Sequence, residues 1–152
     1  MKLLQLWNYS SKLPFGKSLV TQVLCHKIPF FKTIKPKLLL VEPNRCEATM
    51  PKTKFIINHL GSIHAIALCN MAEFAGGVMC EVSIPSNLRW IPQGMQVEYI
   101  KKATTDLNAI ATPNQNLTDL ERGVYVALVE IFDMSKDLVF RANIEMKVSE
   151  RQ

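Results

Sequence analysis

The chain has 152 residues, 48% hydrophobic and 20% charged, which is enough apolar material for one globular core and too much for a disordered chain. No apolar run reaches the ~20 residues that a membrane-spanning helix needs, and six glycines, eight prolines and no internal repeat exclude collagen-like or linker sequence. The net charge of +5 is uneven, with ten Lys/Arg against two acids in residues 1 to 54 and eight against eleven in residues 55 to 152; this bias alone does not separate nucleic acid, an anionic membrane and a phosphorylated small molecule.

Residues 1 to 7 open like an export signal, but Trp7-Asn8-Tyr9-Ser10-Ser11-Lys12 breaks the apolar stretch, and Val23-Leu24 before Cys25 is not a lipoprotein processing site. Export is not expected. Cys25, Cys46, Cys69 and Cys80 form no CxxC pair, which fits buried, reduced thiols of a cytoplasmic protein without disulfide or zinc. After Pro14-Phe15-Gly16, the residues Leu19, Val20, Val23, Leu24 and Ile28 fall at helical spacing until Pro29, which predicts a helix from about residue 16 to 28. Residues 1 to 28 thus read as an N-terminal helical extension of a single domain, 1 to 152. Residues 36 to 50 mix β-formers with turn residues at Glu42-Pro43-Asn44, predicting a strand, a turn and a second extended piece.

From residue 64 to 80 nearly every position is apolar, so these 17 residues predict a helix with no solvent face, which must be buried. His64, Asn70 and Glu73 argue for protein rather than lipid around it. Gly76-Gly77 would weaken the helix unless another backbone packs closely there. Strands are predicted at 81 to 91, 94 to 103, 107 to 112, 123 to 132 and 138 to 148. The last alternates cleanly, Leu138, Phe140, Ala142, Ile144, Met146 and Val148 against Val139, Arg141, Asn143, Glu145 and Lys147, with a hairpin turn at 133 to 137 before it. One buried helix followed by a long antiparallel meander gives an α+β fold in which five or six strands curl around the helix.

Polar residues gather where that helix begins: Asn58, His59, Gly61, Ser62 and His64, then Asn70 and Glu73 inside it. A carboxylate among such neighbours should be desolvated, with a raised pKa suited to a general base or nucleophile; a structural carboxylate hydrogen-bonded within a core stands as an equal reading. Gly61-Ser62 can end the loop and leave the N–H groups near Ala65 and Ile66 free to stabilise an oxyanion, or Ser62 simply caps the helix. His59 and His64, five apart, match no metal-binding spacing, and no metal is expected. Arg89, Lys101, Lys102 and Arg141 could meet phosphates, Trp90 reads as core or interface, and without a basic-aromatic stripe nucleic-acid binding is not expected.

Asn58-x5-His64-x8-Glu73 resembles the helix motif of PaaI-like hotdog-fold acyl-CoA thioesterases. The runs from Ile57 to Ala65, Ala72 to Gly77, Leu88 to Pro92 and Val97 to Tyr99 are similar to a hotdog branch of DUF4442-type proteins, a likeness covering roughly residues 28 to 149. The resemblance implies a cofactor-free thioester hydrolase, coenzyme A being part of the substrate. It implies Glu73 as base or nucleophile, Asn58 positioning water or carboxylate, the Ala65 N–H polarising the carbonyl and His64 supporting the loop. Gly61, Ser62, Ile66 and Arg89 would contact substrate, and Ser83 or Ser86 could fill the place of a strand Ser/Thr common in relatives. The chain departs from the family in having His64-Ala65-Ile66 where many relatives have His-Gly-Gly, and Glu73 where they often have Asp. An acyl-binding protein without turnover is the alternative, with a hydratase a weaker third. Relatives pair subunits into a continuous sheet, so a homodimer is expected, with a dimer of dimers left open, and each site is expected to be shared between subunits.

Overall fold

The structure, a computed structural model, describes residues 3–151. Two helices open it, α1 (Leu3–Ser10) and α2 (Gly16–Lys27), then a 3-10 helix (Pro29–Ile34) and the hairpin β1 (Lys37–Glu42) and β2 (Arg45–Met50). The central helix α3 (Ala65–Ser83) follows, and then β3 (Leu88–Tyr99), β4 (Leu107–Pro113), β5 (Gly123–Phe132) and β6 (Leu138–Glu150). The six strands form one sheet in the order β1-β2-β4-β5-β6-β3, every neighbouring pair antiparallel. The sheet curls around α3.

The apolar composition of α3 is what closes the core: Met71, Ala72, Ala75 and Met79 are fully enclosed, facing Ala109, Ala111, Val129, Ile131 and Ile144 of the sheet's inner face. Gly76 and Gly77 permit the close approach, though the neighbours are side chains and not the backbone expected from sequence. A Cβ on Gly76 would lie 3.2 Å from Ile144 Cδ1, and one on Gly77 2.8 Å from Trp90 Cη2. By length and composition α3 could cross a bilayer, but 67% of its apolar window is buried in this protein's own core, which is the simpler account of its hydropathy.

Several boundaries differ from the sequence expectation. Residues 81 to 83 continue α3 and do not begin a strand; the helix stops at Ser83, and Pro85 follows in the loop. The pieces expected at 81 to 91 and 94 to 103 are instead one strand, β3, whose register slips between Pro92 and Gly94 opposite β6. Residues 3 to 10, within the stretch that opens like an export signal, form α1, held by Trp7 in the core; Met1 and Lys2 of that stretch lie outside the described residues. The helix expected at 16 to 28 is α2, ending one residue earlier, and the 3-10 helix extends the N-terminal elements to Ile34.

The turn between β1 and β2 is pinned from a distance. Asn44 adopts a left-handed conformation (φ 63), and its N–H donates to Ser83 Oγ at 2.7 Å. Its Nδ2 donates to Asn116 Oδ1 at 2.7 Å, while its Oδ1 accepts the Leu117 N–H at 2.8 Å. At the other end of the sheet, β3 pairs with β6 on one side only and leaves its second edge open.

Candidate active site

The loop before α3 is built on Asn58. Its Oδ1 accepts the N–H of Leu60 (2.9 Å) and of Ser62 (3.2 Å), and its Nδ2 lies 2.9 Å from Ser62 Oγ. Backbone bonds from Asn58 to Ser62 and from Gly61 to Asn58 close the turn, which Gly61 (φ +76) supplies with the left-handed backbone that glycine tolerates. Ser62 is therefore buried as the partner of Asn58 and does not cap α3.

His64 is the cap. It has extended backbone geometry, its Nδ1 accepts the Ile66 N–H at 3.1 Å, and its carbonyl accepts the Ala67 N–H at 2.9 Å. That arrangement puts the ring in the tautomer protonated on Nε2. Of the two N–H groups expected to be free at the helix start, Ile66 is thus taken, while Ala65 has no hydrogen-bond partner among the described residues. One backbone donor remains, at the positive end of the helix dipole.

Down α3 the less enclosed positions Ile66, Cys69 and Glu73 recur at helical spacing, and Gly77 continues the row one turn on. Met95, Val97 and Tyr99 of β3 share the inner face of the sheet, since they pair with the inward-facing Ile144, Ala142 and Phe140 of β6. Cys69 Sγ lies 3.4 Å from Tyr99 Oη, and this bond is the main cause of a tyrosine pKa pushed up to about 12. Glu73 is half-buried, and among the described residues its carboxylate has neither a hydrogen bond nor an ion pair. The expected enclosure by apolar neighbours on every side is not present within one chain. Asn70, a buried polar residue of the helix, is structural: its Nδ2 donates to Thr33 Oγ1 at 3.0 Å, tying α3 to the 3-10 helix, while its Oδ1 has no partner.

Beyond Gly77 the row leads to a cavity of about 730 Å³ between α3, the N-terminal helices and Trp90, walled by Leu6, Leu24, Phe31, Val78 and Val82 with Lys27 and Arg151 among its polar residues. Trp90 lies against Gly77 and donates from Nε1 to Glu81 (3.1 Å), which in turn pairs with Arg151 (3.3 Å). Neither candidate serine meets Glu73. Ser83, at the far end of α3, bonds Met79 and Asn44, and Ser86 is exposed in the loop to β3. Arg89 alternates with the inward Leu88 and Trp90, so it faces out beside its pairing partner Ser149, away from Glu73. The structure thus gathers Asn58, Gly61, Ser62, His64, Ala65 and Ile66 at the helix start, and sets Glu73 apart, ~13.5 Å of helix rise below His64. Trp90, read from sequence as core or interface, packs against Gly77, whereas the contact of Tyr99 with Cys69 is a neighbour that sequence reasoning missed; the period of two in β3 pointed at it, masked by the bulge at Pro92–Gly94.

A six-stranded antiparallel sheet wrapped around one long helix, entered through a polar loop, is the hotdog fold. Solved structures of that fold are similar over most of the chain. A structural-genomics crystal structure shares 36% identity (TM-score 0.84; 98% of this chain, 99% of that one). A thioesterase from Haemophilus influenzae is 16% identical (TM-score 0.71; 80% and 82%), and the Escherichia coli PaaI protein from the phenylacetic acid degradation operon is 15% identical (TM-score 0.71; 84% and 88%). No curated protein matches. The family model described as a domain of unknown function, DUF4442, matches residues 16–148, and the chain belongs to that family.

Proposed function

We propose that the protein hydrolyses acyl thioesters such as acyl-CoA, with Glu73 as the base or nucleophile and no metal or cofactor. The observation that carries this reading is the Glu73 carboxylate itself: half-buried, without a partner among the described residues, and set in a largely apolar helix one turn before the cavity that Gly77 lines. A half-buried carboxylate left without a partner costs stability, which favours reading it as functional. Acting as base, Glu73 takes a proton from water as the water oxygen attacks the thioester carbonyl. The Ala65 N–H stabilises the oxyanion, the C–S bond then breaks, and the proton passes from Glu73 to the departing thiolate. Asn58 keeps one amide hydrogen beyond its bond to Ser62, enough to hold the water.

These groups cannot meet in one chain, so the reading requires two copies paired along the open edge of β3 with their central helices antiparallel. Glu73 of one copy then lies beside the helix start of the other. The cavity would receive the acyl group, while Arg89, facing outward, is left out of the substrate contacts. With four free cysteines, the compartment proposed is the cytoplasm.

An acyl-binding protein without turnover is the second reading. It is favoured by the saturation of the acceptor Asn58 Oδ1 within its own loop and by the His64 cap, which takes the Ile66 N–H from the donors at the helix start. Thiol release from a panel of acyl-CoAs separates the two: release that Glu73→Gln lowers at least ~100-fold supports hydrolysis. Saturable acyl-CoA binding with no release supports the second.

A further inference from the structure

Between Leu3 and Val41 the chain carries Lys12, Lys17, Lys27, Lys32, Lys35 and Lys37 and not one Asp or Glu. None of these lysines has an ion-pair partner among the described residues, whose salt bridges all involve Arg45 or cations after residue 100. Four of them share one place. Lys27, Lys32, Lys35 and Lys37 wall an open groove of about 690 Å³ along α2, whose other wall includes Leu19, Val23 and His26.

The apolar side of this groove continues to the corner between α1 and α2. Phe15, Leu19, Val23 and His26 recur at helical spacing, and all four are exposed, Phe15 by 90% and Leu19 by 54%. Leu13 and Tyr9 are exposed at the same corner. Phe15 is held outward by a left-handed backbone (φ 61), and the corner is tight, because a Cβ on Gly16 would overlap the Ser10 carbonyl. Large apolar side chains projecting from a rigid corner, beside uncompensated lysines, are not a folding requirement of the core, which already holds Trp7, Val20 and Cys25 from the same helices.

We propose that this face docks on the surface of an anionic phospholipid bilayer, with Leu13, Phe15 and Leu19 entering the headgroup–acyl boundary and the four groove lysines meeting lipid phosphates. A cluster of four to eight basic residues beside an apolar stripe is what such a surface selects, since neither the electrostatic nor the apolar contribution alone holds a protein firmly there. The charge argues against a second copy as occupant, because two such faces would repel. The protruding apolar corner argues against a nucleic acid, whose backbone offers no apolar layer for Phe15 and Leu19 to enter. The inference does not depend on thioester hydrolysis.

Co-sedimentation of the full chain with vesicles tests it, using phosphatidylcholine alone and phosphatidylcholine mixed with phosphatidylglycerol. Binding is expected only to the mixed vesicles and is expected to weaken with added salt. Each groove lysine should contribute about fivefold to partitioning, so Lys32→Glu with Lys35→Glu should lower it at least ~25-fold. Phe15→Ser with Leu19→Ser should lower it at least ~10-fold at unchanged charge. All four side chains are exposed, and an unchanged circular dichroism spectrum verifies that the variants are folded. Equal binding to both vesicle types overturns the proposal, as does no binding at low salt. Loss on lysine reversal with no loss on the Phe15/Leu19 change also overturns it, because that pattern marks a general polyanion site.

Discussion

Replacing Gly77 by alanine sets two effects of similar size against each other. In a helix interior the change stabilises by about 0.8–1 kcal/mol. Here the added methyl would lie 2.8 Å from Trp90 Cη2 and 3.3 Å from Cζ2, closer than side chains pack. The indole cannot simply withdraw, because its N–H is held by Glu81 and Glu81 by Arg151. Overpacking against a fixed ring costs about 1–3 kcal/mol, so Gly77→Ala should destabilise by about 1 kcal/mol net. Trp90→Leu removes the benzo ring that carries Cη2 and Cζ2; in that background Gly77→Ala should become stabilising by about 1 kcal/mol, a coupling of roughly 2 kcal/mol between the sites. Urea unfolding midpoints of the four proteins, at one protein concentration and with unchanged slope, measure the cycle. A Gly77→Ala midpoint above that of the parent would refute the reasoning, and so would a shift of the same sign in both backgrounds.

The proposed shared site has a numerical signature: Asn58→Ala and Glu73→Ala homodimers should each be inactive, whereas an equal, freely exchanged mixture should recover about a quarter of wild-type thiol release, half the dimers having one intact site. Mixtures as inactive as their parents, with exchange demonstrated by mass spectrometry, would exclude it. Burial pushes the thiols of Cys46 and Cys80 up to about 12, so an alkylating reagent at pH about 8 should leave both unmodified in the folded protein and react after unfolding, as peptide mapping would reveal. Asp133 is held below the ordinary carboxylate range by the Asp137 N–H first, then by Lys101 and the Ser135 N–H. Its contribution is present above that range and lost as pH falls through its folded value, so the stability gap between wild type and Asp133→Asn should stay constant from neutral pH down to about pH 5 and narrow progressively below it in denaturant titrations.

The parts of the fold legible in sequence are those where one periodicity acted alone. In β6 every second residue from Phe140 to Val148 is buried, and the pattern of two had no competitor. At 82 to 84, Val-Ser-Ile reads as strand, yet Ser83 back-bonds to Met79 and the helix runs on to it, a tertiary choice that propensity does not contain. Glu73 was visible as the one acid among the mostly apolar residues 64 to 80. The cap was not, because histidine is outside the usual Ser, Thr, Asp and Asn set, and only the three-dimensional turn turns its Nδ1 toward Ile66. The outward placement of Arg89 was present in its alternation with Leu88 and Trp90, but its charge drew attention to ligand phosphates instead.

The turn at Asn44 carries a kinetic consequence. A hairpin turn ordinarily closes from neighbouring residues within microseconds. This one takes its hydrogen bonds from Ser83, Asn116 and Leu117, which lie 39, 72 and 73 residues further along the chain. Those bonds can form only after the helix has docked and the β4–β5 connection has arrived, so the turn locks when most of the loop-closure entropy has already been lost. Asn44 is therefore a late latch, absent from the folding nucleus: disturbing it shortens the lifetime of the native state while the speed at which that state is reached stays nearly the same.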